Sequence, residues 1–343
     1  MQSKLKIILI GLGKVGREVL QQLPISGLGC EITALADSTA CLIGQPLSVQ
    51  QVSAALETKS AGKKLIDLPD AQPLTNLVAS YQSDVIIVDT SAAPNLDWGT
   101  AIRKNCKMVF ANKNAHSAPW SQAAAFFNND RIRYESTVGA GLPVIATLRS
   151  MLASGDQITR IEGVMSGTLG YLCSQLEAGA TYSQAVQRAF EAGYTEPDPR
   201  DDLSGFDVLR KSLILGRTAG WRLEQTDFSV QALYDDRLIG MRVSEFFQRT
   251  ALLNETYTQE VGKAAKEGRV LRYLATITPQ GGHIGLQAVE RSSALGALQG
   301  PGNYFAIHSR RFDPLPLVIA GPGAGIVVTA NGVLNDIIAL TSR

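Results

Sequence analysis

A glycine-rich turn near the start of the chain constrains the fold more than any other feature. Lys4–Ile10 is a continuous apolar stretch, typical of a strand buried in a parallel sheet, and Arg17–Leu23 follows with helical periodicity. The turn between them reads Gly11-Leu12-Gly13-Lys14-Val15-Gly16. In this setting the first glycine permits a tight turn, the second lets the backbone approach a pyrophosphate, and the third lets the helix pack closely. The sequence therefore predicts a dinucleotide-binding turn in which Gly11, Gly13, Lys14, Val15 and Gly16 contact the cofactor.

A carboxylate follows the second predicted strand. Glu31–Ala36 ends at Asp37, twenty-one residues after Gly16, where an acid that binds the adenosine ribose is expected. Asp37 favours NAD, but four lysines could serve a 2′-phosphate, namely Lys14, Lys59, Lys63 and Lys64. We therefore predict that both NAD and NADP are used, with NAD at least as effective.

Two further strands extend this sheet. Asp84–Asp89 and Lys107–Ala111 are short apolar runs, the first followed by Ser91 and the second by Asn112 and Lys113. The carboxyl ends of strands in a doubly wound sheet face the ligand crevice, so these polar residues are expected towards a cofactor or substrate. The expected fold class is α/β, with a Rossmann-type doubly wound nucleotide domain.

The stretch YESTVGAGLPVI, which begins at residue 134, does not match a simple core strand. Glu135 lies next to an apolar run, Gly139 and Gly141 loosen the backbone, and Pro143 cannot donate a hydrogen bond. Such a loop exposes several carbonyl oxygens beside a carboxylate, which could hold a hard monovalent cation. A plain strand-to-helix turn is an equally good interpretation of the same residues.

The pattern changes after about residue 148 and predicts a second domain. A strand at Arg160–Val164 is followed by mainly helical sequence, then by a β-hairpin formed by Val270–Ile277 and His283–Val289. Two more strands and a glycine run lead into a final helix, Ile326–Leu340. We expect residues 1–147 with 321–343 to form the nucleotide domain. Residues 148–320 are expected to form an α+β substrate and dimerisation domain with a mainly antiparallel sheet, its helices at about 169–269 and its strands at about 160–168 and 270–320.

The stretch 193–211 is the strongest candidate for a catalytic site. Five carboxylates lie between residues 196 and 207 against one basic residue, Arg200, and two prolines stiffen the loop. A helix with a capping box is predicted from Ser204 onwards. On it Asp207 and Lys211 are spaced i and i+4, so their side chains leave one face together. The alternative is that this pair only stabilises a helix and the loop is merely solvated.

Composition excludes several other classes of protein. The formal charge of +1 argues against nucleic-acid binding, and no apolar run reaches the ~18 residues that span a bilayer. The four cysteines and three histidines are scattered, without metal-ligand spacing. We therefore expect a cytoplasmic protein with reduced thiols and without zinc.

Taken together, these stretches resemble homoserine dehydrogenase, especially its short, yeast-like form. The resemblance covers essentially the whole chain in order: GLGKVG at 11–16, ANK at 111–113, YESTVGAGLP at 134–143, EGVMSGTLGY at 162–171, GYTEPDPRDDLSGFDVLRK at 193–211 and GPGAGIVVTANGVLNDII at 321–338. It implies NAD(P)-dependent interconversion of L-aspartate 4-semialdehyde and L-homoserine, on the route to threonine, methionine and isoleucine.

The resemblance also implies roles for single residues. It makes Lys211 the acid–base residue and places Lys113 between nicotinamide and substrate. The residues expected to bind or lie close to the substrate are Glu196, Asp207, Asp202, Gly193 and Thr168. A sodium site is implied at Glu135 and the carbonyls of Val138, Ala140 and Leu142. Further cofactor contacts are implied at Gly325 and at Ser91. The family usually has D-x-T-S-S where this chain has DTSAA at 89–93, so Ser91 falls on the family's threonine.

Two alternatives remain open on the sequence alone. The chain could be another semialdehyde or amino-acid dehydrogenase, or a dinucleotide-sensing protein without turnover. A sensor would have no need for the Asp207–Lys211 pair beside an acidic loop. A homodimer is expected through the apolar sheet at about 270–320. Because no regulatory domain or fused kinase is apparent, feedback control by threonine is not expected.

Overall fold

The computed structural model describes residues 4–93 and 96–341, which fall into two compact units. Unit 1 comprises Met1–Pro143 and Ala324–Arg343, and unit 2 comprises Val144–Gly323. The predicted boundaries, at residues 147 and 321, lie a few residues from these divisions.

Unit 1 is built on a six-stranded sheet. Its strands are β1 (Leu5–Ile10), β2 (Cys30–Ala36), β3 (Cys41–Ile43), β4 (Val85–Asp89), β5 (Lys107–Phe110) and β6 (Ile132–Arg133). The order is β3-β2-β1-β4-β5-β6, and all neighbours are parallel except the antiparallel pair β2 and β3. Its helices are α1 (Lys14–Gln22), α2 (Val49–Ser60), α3 (Trp98–Arg103), α4 (Asn114–Ser117) and α5 (Trp120–Ala123), with the last helix of the chain described below.

Continuous apolar sequence places the central strands of unit 1 in the interior. Every residue of β4 is buried, and so are the last four residues of β1. One face of the sheet packs against α1 and the C-terminal helix, where Val19 of α1 and Val333 share a core with Ile7 and Leu9. The parallel strands therefore bring their carboxyl ends to one edge, as the doubly wound pattern predicts.

Unit 2 is built on a second six-stranded sheet. Its helices are α6 (Val144–Ala153), α7 (Gly167–Glu177), α8 (Tyr182–Glu191), α9 (Pro199–Leu203), α10 (Phe206–Thr218), α11 (Val243–Arg249) and α12 (Asn254–Lys266). Its strands are β7 (Ile158–Val164), β8 (Phe228–Val230), β9 (Arg269–Thr278), β10 (Gly281–Glu290), β11 (Gly302–Ser309) and β12 (Leu317–Pro322), and α13 (Ile326–Thr341) then returns to unit 1.

The second sheet is mainly antiparallel, as expected. The order is β12-β11-β7-β9-β10-β8, and the pair β8 and β10 is parallel. Helices α7, α10 and α12 pack against the long strand β9. The fold class is thus α/β with a Rossmann-type unit and a second α+β unit.

The predicted capping box at Ser204 is wrong. The chain forms the short helix α9 first, and Ser204 ends that helix. Gly205 precedes α10 in a left-handed conformation, φ 72°, and has no side chain to cap the helix, while the Ser204 hydroxyl accepts from the N–H of Phe206, the first residue of α10, at 3.2 Å. Two helices that meet at one residue leave no extended segment for a capping serine, so a left-handed glycine makes the turn.

No helix in the described part of the chain combines the length and the apolar character needed to cross a membrane.

Candidate active site

The glycine turn of unit 1 is closed on one side and open on the other. Gly11 has φ 96°, and a Cβ on it would lie 2.4 Å from the Ser91 nitrogen. A Cβ on Gly16 would lie 1.9 Å from the Gly11 carbonyl oxygen. Around Gly13, in contrast, no described atom beyond its own neighbours comes within 4 Å of such a Cβ. The strand, turn and helix are therefore locked together by close backbone contacts, while Gly13 and the first residues of α1 face open space suited to a phosphate.

Ser91 lies beside this turn and is held by a buried carboxyl group. The Ser91 N–H donates to Asp89 Oδ1 at 2.9 Å, and Asp89 is 1% exposed. Burial raises the pKa of Asp89 to about 6, against the hydrogen bonds from Ser91 and Asn112. Asn112 in turn donates to the Ala93 carbonyl at 3.0 Å. The ends of β4 and β5 thus share one hydrogen-bonded network at the edge where the cofactor is expected.

Lys113 is the residue that directly precedes α4. Its carbonyl accepts from both the N–H and the hydroxyl of Ser117, each at 2.9 Å, and the residue is half-buried. Because Lys113 follows β5, its backbone is fixed at the same carboxyl edge of the sheet as Ser91.

Asp37 occupies the end of β2 as predicted, but its oxygens already have partners. Oδ1 accepts from the N–H and hydroxyl of Thr39 and from the Ala40 N–H. Oδ2 accepts from Lys59 Nζ at 2.7 Å and from the Leu65 N–H at 3.0 Å. Burial alone would raise the pKa of Asp37, but the Lys59 ammonium and the N–H and O–H donors hold it well below its usual range. Asp37 is therefore a neutralised carboxylate at the position where the ribose is expected.

The loop that carries the predicted sodium ligands packs against α13. Glu135 is 4% exposed, and its N–H donates to Asp336 Oδ2 at 2.8 Å. Ala140 has φ 57°, a left-handed conformation that is uncommon for a residue with a side chain. No group of three or more His, Cys, Asp and Glu residues in the described ranges could hold a metal ion. A cation at this loop would accordingly depend on carbonyl oxygens such as those of Val138 and Leu142.

In unit 2, Arg200 fixes the acidic stretch. Asp198 caps α9 through the Arg200 N–H, and the Arg200 guanidinium contacts the same carboxylate at 2.6 Å. The other guanidinium N–H groups donate to the carbonyls of Leu238 and Met241 at 2.8 and 2.7 Å. The guanidinium also lies 5.4 Å from the centre of the Phe246 ring. The stretch is thus a rigid structure and more than a solvated loop.

Asp202 accepts hydrogen bonds from two other predicted substrate residues. It accepts from the Thr168 hydroxyl at 3.0 Å and from the Glu196 N–H at 2.8 Å, and burial raises its pKa. The same hydroxyl lies 2.5 Å from the Tyr194 carbonyl oxygen, directly after Gly193, which has φ 72°. Thr168, Glu196, Gly193 and Asp202 are therefore brought together.

Lys211 is held by two oxygens in a largely buried position. Its Nζ lies 2.9 Å from Asp207 Oδ2 and donates to the Met165 carbonyl at 2.7 Å. The Lys211 side chain is 12% exposed and that of Asp207 is 48% exposed. The predicted i, i+4 pair is therefore formed, and it directs the ammonium towards the turn between β7 and α7.

Unit 2 thus brings together the predicted acid–base lysine and the acidic residues, whereas the predicted cofactor and sodium residues belong to unit 1. Sequence reasoning missed the Met165 carbonyl, which has no side-chain signature. It also missed Asp89 as part of the site, although a carboxylate that ends an apolar strand is a visible signal.

Comparison with known proteins identifies the family of this chain. The family model "Homoserine dehydrogenase" matches residues 143–338. A homoserine dehydrogenase of Emericella nidulans is 34% identical over 369 residues, covering 100% of both chains. A bifunctional aspartokinase/homoserine dehydrogenase 2 of Zea mays is 41% identical over 263 residues, which are 74% of this chain and 28% of the maize protein. The chain thus spans less than a third of that bifunctional relative.

Solved structures show the same fold. A protein of unknown function from Candida auris has a TM-score of 0.85 at 28% identity, covering 99% of both chains. A hyperthermophilic archaeal homoserine dehydrogenase in complex with NADPH has a TM-score of 0.74 at 22% identity, covering 99% of this chain and 98% of that one. The resemblance found in the sequence is confirmed. Since the family model matches more than half of the chain and a relative aligns along its full length, the chain belongs to the homoserine dehydrogenase family, a family of NAD(P)-dependent oxidoreductases.

Proposed function

We propose that this chain interconverts L-aspartate 4-semialdehyde and L-homoserine, with a bound nicotinamide cofactor exchanging the hydride and Lys211 exchanging the proton. The observation that carries this proposal is the position of the Lys211 ammonium, held between Asp207 and the Met165 carbonyl. Reduction of an aldehyde generates an alkoxide, which a positioned ammonium can stabilise and protonate. Two fixed acceptors leave the third N–H of Lys211 for the substrate oxygen.

The acidic stretch suits the other end of the substrate. The α-ammonium group of homoserine needs carboxylate partners, and Glu196 and Asp207 are the proposed ones. Asp202 acts through its neighbours, because its two oxygens accept from the Glu196 N–H and the Thr168 hydroxyl. Around Gly193 no described atom beyond its own neighbours comes within 4 Å of a Cβ built there, which is consistent with a substrate beside Tyr194.

The cofactor site is proposed in unit 1. Gly11, Gly13 and Gly16 with Lys14 and Val15 would receive the pyrophosphate at the start of α1. Additional cofactor contacts are proposed at Asp37, Ser91, Lys113 and Gly325. The open space at Gly13 supports this assignment, because a phosphate could approach the backbone there without meeting a side chain on Gly13.

A sodium ion is proposed at Glu135 and the carbonyls of Val138, Ala140 and Leu142. The left-handed pair Gly139 and Ala140 makes a turn beside Glu135, and carbonyl oxygens with a carboxylate are ligands that suit a hard cation. There the ion would fix the loop and take no part in the transfer of hydride or proton.

A homodimer and a cytoplasmic location complete the proposal. The edge strand β12 exposes Val318, and Leu315 beside it is 79% exposed, so a partner subunit would cover apolar surface. The four cysteines, all within the described residues, are free thiols, as in proteins of reducing compartments. Light scattering at several protein concentrations tests the dimer.

One assay tests the reaction and its acid–base residue together. Purified protein with NAD or NADP should give absorbance at 340 nm when L-homoserine is added, and much less with L-serine, which is one methylene shorter. Lys211→Ala should lower kcat roughly 10²–10⁴-fold with cofactor binding nearly intact. Its helix should survive, since alanine is the better helix former.

The matched control is Lys263→Ala, which removes an exposed lysine from another helix of the same unit. It should leave kcat unchanged. Near-normal turnover in folded Lys211→Ala would remove Lys211 from the mechanism, and absence of turnover with homoserine in the unaltered protein would contradict the proposed reaction.

A further inference from the structure

Asn303, near the start of β11, is a buried amide with one half of its hydrogen bonding satisfied. The residue is 1% exposed, and its Nδ2 donates to the Val164 carbonyl at 3.1 Å. Its Oδ1 finds no hydrogen-bond partner among the described residues. The Val164 carbonyl can only accept, so the amide cannot be turned around. A buried unpaired oxygen is unfavourable, and a function of the amide would explain why it stays there.

The unpaired oxygen fills a specific space. Asn303 is paired with Gly321 on β12, and a Cβ built on Gly323 would lie only 1.3 Å from Asn303 Oδ1. The oxygen therefore stands where a side chain at position 323 would be. Gly323 is the last residue of unit 2 before the chain leaves it. The amide thus joins the end of β7 to the glycine run that follows β12.

The carbonyl that Asn303 holds is next to the one that holds Lys211. Val164 ends β7, and the carbonyl of the following Met165 accepts from Lys211 Nζ. The chain then enters α7, whose first turn carries Thr168 and its bond to Asp202. Because each peptide is planar, fixing the Val164 carbonyl fixes the position of the Met165 Cα and restricts the direction of its carbonyl.

We propose that Asn303 is a positioning residue for the reaction: its amide sets the Val164–Met165 segment so that the Met165 carbonyl presents the Lys211 ammonium to the substrate. The inference rests on the proposed role of Lys211. Gly323 is part of the same arrangement, because any side chain at position 323 would displace the Asn303 amide.

Asn303→Ala and Asn303→Leu test this proposal. Leucine keeps a branched side chain of similar shape but has no donor, so the contact with Val164 is lost even if the alanine variant folds poorly. Each folded variant should lose roughly 10–100-fold in kcat, the scale expected when a reacting group is displaced by up to an ångström. The Kd for the cofactor, from fluorescence titration, should stay near the wild-type value. The solvent deuterium isotope effect on kcat should rise, because proton transfer becomes slower.

Gly323→Ala supplies an independent perturbation. It should lower kcat like the Asn303 variants, because its Cβ displaces Oδ1. Alanine at position 303 would keep a Cβ only 2.6 Å from the new Cβ, so the background variant is Asn303→Gly, in which no side-chain atom remains there and adding Gly323→Ala should cost little more. The control is Ser309→Ala on the same strand; Ser309 is 2% exposed and bonds to Asp156 at 2.6 Å, away from Val164. It should lower Tm and leave kcat and the isotope effect unchanged.

The outcomes separate the two proposals. If folded Asn303 variants only lose Tm, with normal kcat and isotope effect, Asn303 is merely structural and the inference fails. Additive losses in the Asn303→Gly, Gly323→Ala double variant would contradict a shared role of Asn303 and Gly323. If Lys211→Ala itself keeps normal turnover, the proposed function fails instead.

Discussion

Asp37→Asn and Lys59→Met should shift the coenzyme preference in opposite directions. Asp37 and Lys59 form a pair 2.7 Å apart, with side chains 6% and 19% exposed. The ammonium cancels most of the repulsion that the carboxylate would exert on a 2′-phosphate. We therefore keep the expectation that the unaltered protein uses both coenzymes, with NAD at least as effective.

The magnitude follows from the strength of a charge-assisted hydrogen bond. Such a bond contributes about 1.5–3 kcal/mol, which corresponds to about 10–150-fold in a binding ratio. Lys59→Met leaves the carboxylate uncompensated, so kcat/KM with NADP should fall by up to that factor relative to NAD. Asp37→Asn frees the ammonium, keeps an acceptor for the turn at Thr39 and Ala40, and should shift the ratio several-fold towards NADP. Asp37→Ala should shift it the same way with a larger loss of stability.

The assay is kcat/KM for each coenzyme at saturating substrate and constant ionic strength. The matched control is Lys104→Met, which removes an exposed lysine at the end of α3 that does not contact Asp37 in the described structure. This control should leave the ratio nearly unchanged. If the Asp37 and Lys59 variants move the ratio in the same direction, or leave it unchanged, the pair does not read the ribose. A strong NADP preference in the unaltered protein would equally contradict the role given to Asp37.

Three other predictions follow from single contacts. Replacing sodium by a bulky organic cation at constant ionic strength should lower activity or Tm if the Glu135 loop holds an ion; equal values would favour the plain turn. Arg200→Met should destabilise the protein by about 1.5–3 kcal/mol in urea unfolding and raise the KM for homoserine. Arg200→Lys should have a similar effect, because an ammonium cannot reproduce the forked contacts of the guanidinium. An unchanged KM would show that Arg200 does not support the substrate site. Since burial raises the pKa of Asp89 from 3.8 to about 6, the folded state binds the proton more tightly, and stability should fall as pH rises between these values. Asp89→Asn should abolish this slope, worth about 3 kcal/mol; a slope that persists would assign it to other groups.

Local patterns in the sequence predicted the parts of this molecule that local physics decides. The glycine turn is visible because a strand, three glycines and a helix follow one another, and Gly16 is explained by its contact with the Gly11 carbonyl inside that segment. The close contact of Gly11 is with Ser91, eighty positions away, and is not part of the local pattern. The spacing of Asp207 and Lys211 likewise gave a real ion pair, because i and i+4 positions adjoin on any helix.

Local sequence patterns do not reveal contacts between residues that are far apart in the sequence. Asp37 is neutralised by Lys59, twenty-two positions away, and no local pattern links the two. The capping box at Ser204 failed for a related reason. The serine satisfied the local signature, but the preceding residues formed α9, and that left only Gly205 between two helices.

The five carboxylates of the acidic stretch divide into those that build it and those that can serve a ligand. Asp198 pairs with the Arg200 guanidinium and caps the start of α9. Both oxygens of Asp202 accept hydrogen bonds from within unit 2. Asp201 is exposed on the surface of α9. Glu196, whose N–H is fixed by Asp202, keeps an exposed side chain without a hydrogen bond in the described structure, and Asp207 is half-exposed beside Lys211. A substrate that carries an ammonium at one end and a carbonyl at the other would find a carboxylate and a proton donor there. This division between structural and substrate-binding carboxylates explains the excess of acidic residues, which a purely solvated loop would not need.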